Sequence, residues 1–173
     1  HDIVLPDPIE TYSDGIEYEY RNKVEYSFWY DTATDQLSLA FFRRGTHGKI
    51  AVSHTSLASP HITRISQQIV AALNQLGVGG RALKTLLIRS NRVGQTAWQL
   101  YVKDEDFDMV SLLSKLGELS VSGEIIYSNP KSPASVITKR LHSGANIVLE
   151  DTILGIPFRY ATEGFFQINL PVY

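Results

Sequence analysis

Apolar and polar positions alternate with a period near two over residues 17–30 (EYEYRNKVEYSFWY), break at the turn-forming stretch Asp31 to Asp35, and resume over Gln36 to Phe42. The pattern predicts a β-hairpin. In its second strand Leu37, Leu39 and Phe41 fall on one face and Ser38, Ala40 and Phe42 on the other, with Arg43 and Arg44 emerging at the end. A short strand over Lys49 to Val52 is expected after the RGTHG turn. The period then changes. Ile62, Ile65, Ile69, Leu73 and Leu76 recur at spacings of three and four, behind an Ser59-Pro60 start and ahead of Gly77, which predicts a capped amphipathic helix.

Two further strand-like runs, Ala82 to Arg89 and Thr96 to Val102, flank Ser90 to Gln95 and predict a second hairpin. Asp104 is expected to cap a second helix whose buried stripe is Phe107, Val110, Leu113 and Leu116. Val121 to Tyr127 reads as a strand, and Ser128 to Pro133 as a breaker-rich loop. The last strands are expected at Ile147 to Glu150 and Thr152 to Tyr160, with Gly155 and Pro157 marking a bulge or an edge. Strands joined mainly by hairpins, with two helices between them, point to a single α+β domain with a largely antiparallel mixed sheet.

Composition narrows the classes. The chain has 173 residues, of which 43% are hydrophobic and 20% charged, so it can bury a core without metal or disulfide. It has no cysteine, which excludes thiol catalysis, cysteine-ligated zinc and a cysteine-held iron–sulfur cluster on these residues. No apolar run approaches the ~20 residues of a membrane helix, and residues 1–20 lack the pattern of a signal peptide, so no membrane partner and a cytoplasmic location are expected. With His and not Met at the first position, a processed, tagged or partial chain is expected.

The net charge of −2 conceals a partition. Residues 1–20 carry six acids and no Lys or Arg, whereas residues 21–103 carry eleven bases against three acids, a local excess of +8. A basic middle interleaved with Tyr18, Tyr20, Tyr26, Phe28, Trp29 and Tyr30 has the composition of a single-stranded nucleic-acid surface; core packing of the rings is the alternative, and the one assigned to Phe28. Gly77-Val78-Gly79-Gly80 follows a helix and reads as a turn, not a phosphate loop. His47, His54 and His61 lack neighbouring ligands, and Asp104 to Asp108 suit a helix N-terminus, so no metal site is expected.

A set of ordered segments carries a family resemblance. These are Tyr20-Arg21-Asn22-Lys23, Phe42-Arg43-Arg44-Gly45-Thr46-His47, Arg89-Ser90 with Gly94-Gln95, and Asn129 with Ser135-Val136-Ile137. They continue through Asp151 to Arg159 and end in Gly164-Phe165-Phe166-Gln167-Ile168-Asn169. The chain resembles the central domain of the S-adenosylmethionine-dependent RNA uracil-5-methyltransferases, which act on transfer and ribosomal RNA. That resemblance implies an acidic N-terminal segment at 1–19, a central α+β domain at 20–163, and a junction at 164–173 leading to a catalytic cofactor domain absent from this chain. RNA (rRNA or tRNA) would be the partner, and S-adenosylmethionine the cofactor of the joined enzyme only. The chain by itself is expected to be catalytically inactive: the family nucleophile is a cysteine, and the family's four-cysteine iron–sulfur motif has Thr55 near one of its positions here. Carried over by position, Gln167 matches the family glutamine that contacts the cofactor. Arg21, Lys23, Arg43, Arg44 and Arg89 fall in family motifs and, with Lys49 and Arg92, are the expected RNA-binding residues. For Arg21 and Arg89, structural pairing with Glu17, Glu19 or Glu25 is an equal alternative. The competing reading is a protein-interaction or oligomerisation module that keeps the scaffold without RNA contact.

Overall fold

The computed structural model describes residues 12–169 and 172. The first eleven positions of the acidic segment, and positions 170, 171 and 173 of the junction, lie outside the described residues. The elements are β1 (Lys23–Asp31), β2 (Gln36–Phe42), β3 (Lys49–Val52), α1 (Pro60–Gln75), β4 (Leu83–Ser90) and β5 (Thr96–Val102). They continue with α2 (Met109–Leu116), a 3-10 turn (Gly117–Ser122), β6 (Gly123–Tyr127), β7 (Lys139–Ser143), β8 (Val148–Ile153) and β9 (Ile156–Ala161). Seven strands form one sheet in the order β3-β2-β1-β4-β5-β6-β7, and β8 and β9 pair separately. All neighbouring pairs are antiparallel except β5–β6, whose parallel pairing is permitted by the long crossover through α2. The fold is therefore α+β with a mixed sheet.

Both helices cover the same face. Val24, Tyr26, Phe28, Leu37, Leu39, Leu86, Ile88, Trp98, Leu100 and Ile125 point toward them, and α1 answers with Ile62, Ile65, Ile69 and Leu73. These four α1 side chains are fully buried, each contributing about 2 kcal/mol relative to exposure. The Ser59 hydroxyl caps α1 by accepting the Ile62 N–H, Pro60 occupies the first turn, and Gly77 closes the helix at φ +65°. Asn74 then docks α1 on β2: its Nδ2 donates to the Leu37 carbonyl (2.9 Å) and its Oδ1 accepts the Leu37 N–H (2.8 Å).

Several boundaries differ from expectation. The first strand starts at Lys23, not Glu17, because Glu19 takes a left-handed φ of 58° and Arg21 makes only an isolated bridge to Ala58. The second helix starts at Met109 under an Asp108 cap; Asp104 instead closes a preceding turn by accepting the Asp106 N–H. That shift turns the helix, so that Leu112 and Leu116 are buried while Val110 faces solvent. The sequence LSVS is drawn into the 3-10 turn, and the sixth strand begins at Gly123 rather than Val121. The polar edge strand β7 has no apolar alternation and escaped the pattern entirely. Leu154 and Gly155, both at positive φ, form a two-residue turn between β8 and β9 in place of a bulge. Pro157 lies opposite Thr152 at the second pair from that turn, a position whose N–H points out of the ladder.

Gly123 sits opposite Trp98 in the parallel pair, and the indole lies across the space where a Cβ would stand, 1.9 Å from its Cζ2. Trp98 Nε1 also donates to the Leu119 carbonyl at 2.9 Å, which locks the ring there. Gly123→Ala is expected to destabilise the fold by about 3 kcal/mol through overpacking, measured by urea unfolding with the buried Trp98 emission as probe.

Candidate nucleic-acid interface

Among the described residues the other sheet face carries no helix. Side chains alternate onto it from Glu25, Ser27 and Trp29 of β1, Ser38, Ala40 and Phe42 of β2, and Thr85, Leu87 and Arg89 of β4, with further contributions from β5 to β7. Its β5–β7 half is roofed by the chain segment that leaves β9. The fastening is a polar network around Glu124, which is only 2% exposed. Arg140 donates through Nε to Glu124 (2.8 Å) and through Nη2 to Glu163 (2.9 Å), and Gln99 Nε2 donates to the same two carboxylates at 2.6 and 2.7 Å. The Ser143 hydroxyl adds a further bond to Glu124, and the Tyr101 hydroxyl donates to Gln99 Oε1. Burial, with Glu163 and Glu124 nearby, pushes the Tyr101 phenol well above its usual range, so it stays protonated as a donor.

This roof takes up several of the bases expected to bind RNA. Arg89 is 1% exposed; it donates to the Ala161 carbonyl (3.1 Å) and lies 5.2 Å from the Tyr160 ring centroid. Tyr160 stacks in turn on Phe166, and its hydroxyl donates to Asp151. Lys23 Nζ donates to the Glu163 carbonyl at 3.0 Å, with its pKa lowered first by burial and then by Arg89. Among the described residues neither Arg21 nor Arg89 makes an ion pair with Glu17, Glu19 or Glu25, and the Glu25 carboxylate instead accepts from the Ser135 hydroxyl. Arg21 is half-buried beside the Ala58 bridge, and its Nε has no partner among the described residues. Arg43 and Arg44 are exposed in the turn after β2, and Arg92 is exposed in the β4–β5 hairpin, where its backbone N–H donates to Asp151.

Among the described residues no helix or strand packs on the β3-β2-β1 half of the face, which the β6–β7 loop touches at Glu25 through Ser135. Lys49 lies opposite Phe42, reaches back over β2 to donate to the Phe28 carbonyl (3.0 Å), and passes 5.2 Å from the Phe42 ring centroid. Ala40 and Ser27 on this face are buried, and Thr85, opposite Ser27, bonds Ser135 of the β6–β7 loop at 2.8 Å. A register shift between Leu83 and Thr85 places Lys84 on the same side as Thr85, where its ammonium bonds Ser128, Asn129 and Ser132. Lys103 follows Val102 at the end of β5. Burial lowers the pKa of both Lys49 and Lys84, and the neighbouring Lys103 charge lowers each further. No carboxylate among the described residues pairs with any of the three. Trp29, 45% exposed, and Phe42, 58% exposed, stand on the same face. Lys49 was expected from the sequence. Lys84 and Lys103 were counted in the basic excess but not singled out, because only the β4 register shift and the strand order bring them to Lys49.

Gln167 is half-buried near the start of β1, where its backbone carbonyl accepts from Asn22 Nδ2 at 2.9 Å. One amide at this position does not make a site for a cofactor that carries an amine, a carboxylate, a sulfonium and an adenine. No step involving S-adenosylmethionine follows from these residues alone. Among the described residues, no group of three or more His, Asp or Glu is placed to hold a metal ion, and no helix is long and apolar enough to cross a membrane.

No family model matches the chain, and no curated protein matches it. A solved structure does. The chain is similar to the Pyrococcus abyssi tRNA (uracil-54, C5)-methyltransferase, solved in complex with S-adenosyl-L-homocysteine, with a TM-score of 0.61 and 12% identity over 90% of this chain. The match spans 38% of that enzyme's length. At this identity the likeness establishes a shared fold.

The network around Glu124 makes a measurable demand. Arg140→Ala strands a buried carboxylate and is expected to cost about 2 kcal/mol, below the 3–5 kcal/mol of a fully buried pair because Arg140 is partly solvated. Glu124→Gln in the same chain should restore most of that loss in a urea-unfolding double-mutant cycle.

Proposed function

We propose that this chain is the RNA-holding part of an RNA uracil-5-methyltransferase, serving a S-adenosylmethionine-dependent catalytic domain that lies elsewhere in the same protein. The observation that carries the reading is the helix-free half-sheet, where Lys49, Lys84 and Lys103 gather positive charge and none of them pairs with a carboxylate among the described residues. Such a surface attracts a polyanion, since phosphate groups supply the missing counter-charge and release condensed cations. The fold shared with a tRNA uracil-5-methyltransferase supports RNA, in tRNA or rRNA, as that polyanion. Exposed Arg43 and Arg44 extend the basic surface at the Phe42 end of β2; Arg92, in the β4–β5 hairpin beside Asp151, and half-buried Arg21, beside Ala58, lie apart from it. Arg89 and Lys23 serve by fixing the roof instead. Gln167, on the junction, faces the cofactor only once the catalytic domain is joined.

Uracil methylation requires a nucleophile to add to the base and a base catalyst to remove a proton afterwards, and both act only on a nucleotide withdrawn from its stack. A module that binds the flanking nucleotides offsets the unstacking cost without touching the reacting atoms. A second reading, contact with another protein surface, is favoured by the outer side of the β8–β9 hairpin. There Leu154, Ile156, Phe158 and Phe165 are all exposed beside the junction, as a domain-docking face would be.

Titration of labelled structured RNA at 50 to 200 mM salt tests the first reading. Affinity should fall steeply with salt, and Lys103→Ala should flatten the log–log slope by about one unit. Binding that is absent at low salt, or unchanged by salt, would show that phosphate recognition is not the role of this face. Methyl transfer by the isolated chain should be undetectable.

A further inference from the structure

The helix-free half-sheet holds more than charge. Trp29 and Phe42 project from adjacent strands onto the same face, and Ser38 lies directly opposite Trp29. Phe42 is four residues further along β2, which separates the two rings by about 13 Å at the strand rise. Between them the floor is the small-residue row Ala40 and Ser27, crossed by the Lys49 stem. Lys84 and Lys103 stand at the Trp29 end, because β5 closes beside the start of β4: the Lys103 N–H donates to the Ala82 carbonyl at 2.8 Å. The result is a shallow trough with a large exposed ring at each end and ammonium groups along it.

Among the described residues neither Trp29 nor Phe42 stacks on another ring. Phe28 and Tyr26 of the same strand are buried under α1; on the other face the segment leaving β9 reaches β1 at Lys23, and the β6–β7 loop reaches it at Glu25 through Ser135. A duplex offers such rings nothing, since its bases are stacked inside; unpaired nucleotides offer an aromatic face on every base. Arg43 and Arg44 lie just beyond the Phe42 end, so positive charge flanks both rings in the direction of the strands.

We infer that this trough binds unpaired RNA, with one base stacking on Trp29 and another, further along the strand, on Phe42, while Lys49 and Lys103 contact the intervening phosphates. The inference rests on the reading of this face as RNA-binding and adds the form of RNA that it selects. Lys84, held by the loop after β6, adds charge and fixes the trough wall.

The chain has two tryptophans, and Trp98 is fully buried, so ligand-induced quenching of emission reports Trp29. The test titrates the full chain with an oligouridine of about 12 nucleotides, inside the 4–16 range of comparable single-strand sites, and with an RNA duplex of the same length. Oligouridine is expected to quench Trp29 and to bind more tightly than the duplex. Trp29→Ala and Phe42→Ala should each weaken oligouridine binding roughly 5- to 150-fold, the range for loss of one stacking ring, while Trp29→Phe keeps most of the affinity and guards against misfolding. Duplex binding that is salt-dependent, with Trp29 emission unchanged by either RNA, would overturn the stacking inference and leave the phosphate reading standing. Absence of binding by both RNAs would overturn both. Self-association in light scattering that Trp29→Ala abolishes would assign the trough to a protein contact and overturn the inference.

Discussion

A carboxylate kept from water must be compensated, and Glu124 sets that condition at the centre of the sheet. Its two oxygens are taken by Arg140, Gln99 and Ser143, and Arg140 and Gln99 are shared with Glu163 on the segment leaving β9. The segment cannot move off the face without exposing a charge pair and stranding Gln99, so the network holds the roof in register over β5, β6 and β7. Breaking one partner of such an arrangement costs more than the arrangement gains over an apolar equivalent. Its value here is positional: it decides which half of the helix-free face is covered.

That division governs the electrostatics of the molecule. Under the roof, Lys23 and Arg89 are drawn toward Glu163 and the carbonyls of residues 161 and 163, and their charge is spent on holding one chain segment against another. On the other half, Lys49 and Lys84 bond only carbonyls and hydroxyls, and the Lys103 charge raises the cost of keeping each of them protonated. Bases a few residues apart in sequence therefore have opposite fates. An anion placed on the half that holds Lys49 would relieve repulsion that the fold leaves uncompensated, whereas one placed at Arg89 would have to displace the Tyr160–Phe166 stack first.

The helix-covered core was legible in the chain. The spacing of Ile62, Ile65, Ile69 and Leu73 with its Ser59-Pro60 start and Gly77 stop, and the alternation along β1, β2, β4 and β5, depend on local geometry and burial, which act over a few residues. Phe28 is core as expected. The polar strand β7 was not legible, because an edge strand is held by backbone hydrogen bonds that leave no hydrophobic period. The start of α2 was misplaced because Asp104 and Asp108 are equally good caps in sequence, and packing of Leu112 against the core chose between them.

For the candidate site the boundary falls in a different place. Residue types and counts alone determined that the middle of the chain is basic and rich in rings, that it lacks a thiol nucleophile, and that Lys49, Arg43 and Arg44 stand at the end of a hairpin. Which cations remain free was decided only in three dimensions. Whether a given Arg or Lys meets a phosphate or a backbone carbonyl depends on partners 70 to 140 positions away, such as Ala161 for Arg89 and Glu163 for Lys23. The approach of Lys49 and Lys84 to Lys103, likewise, depends on strand order and, for Lys84, on one register shift in β4. Local periodicity encodes neither, because long-range electrostatics is a property of the assembled surface.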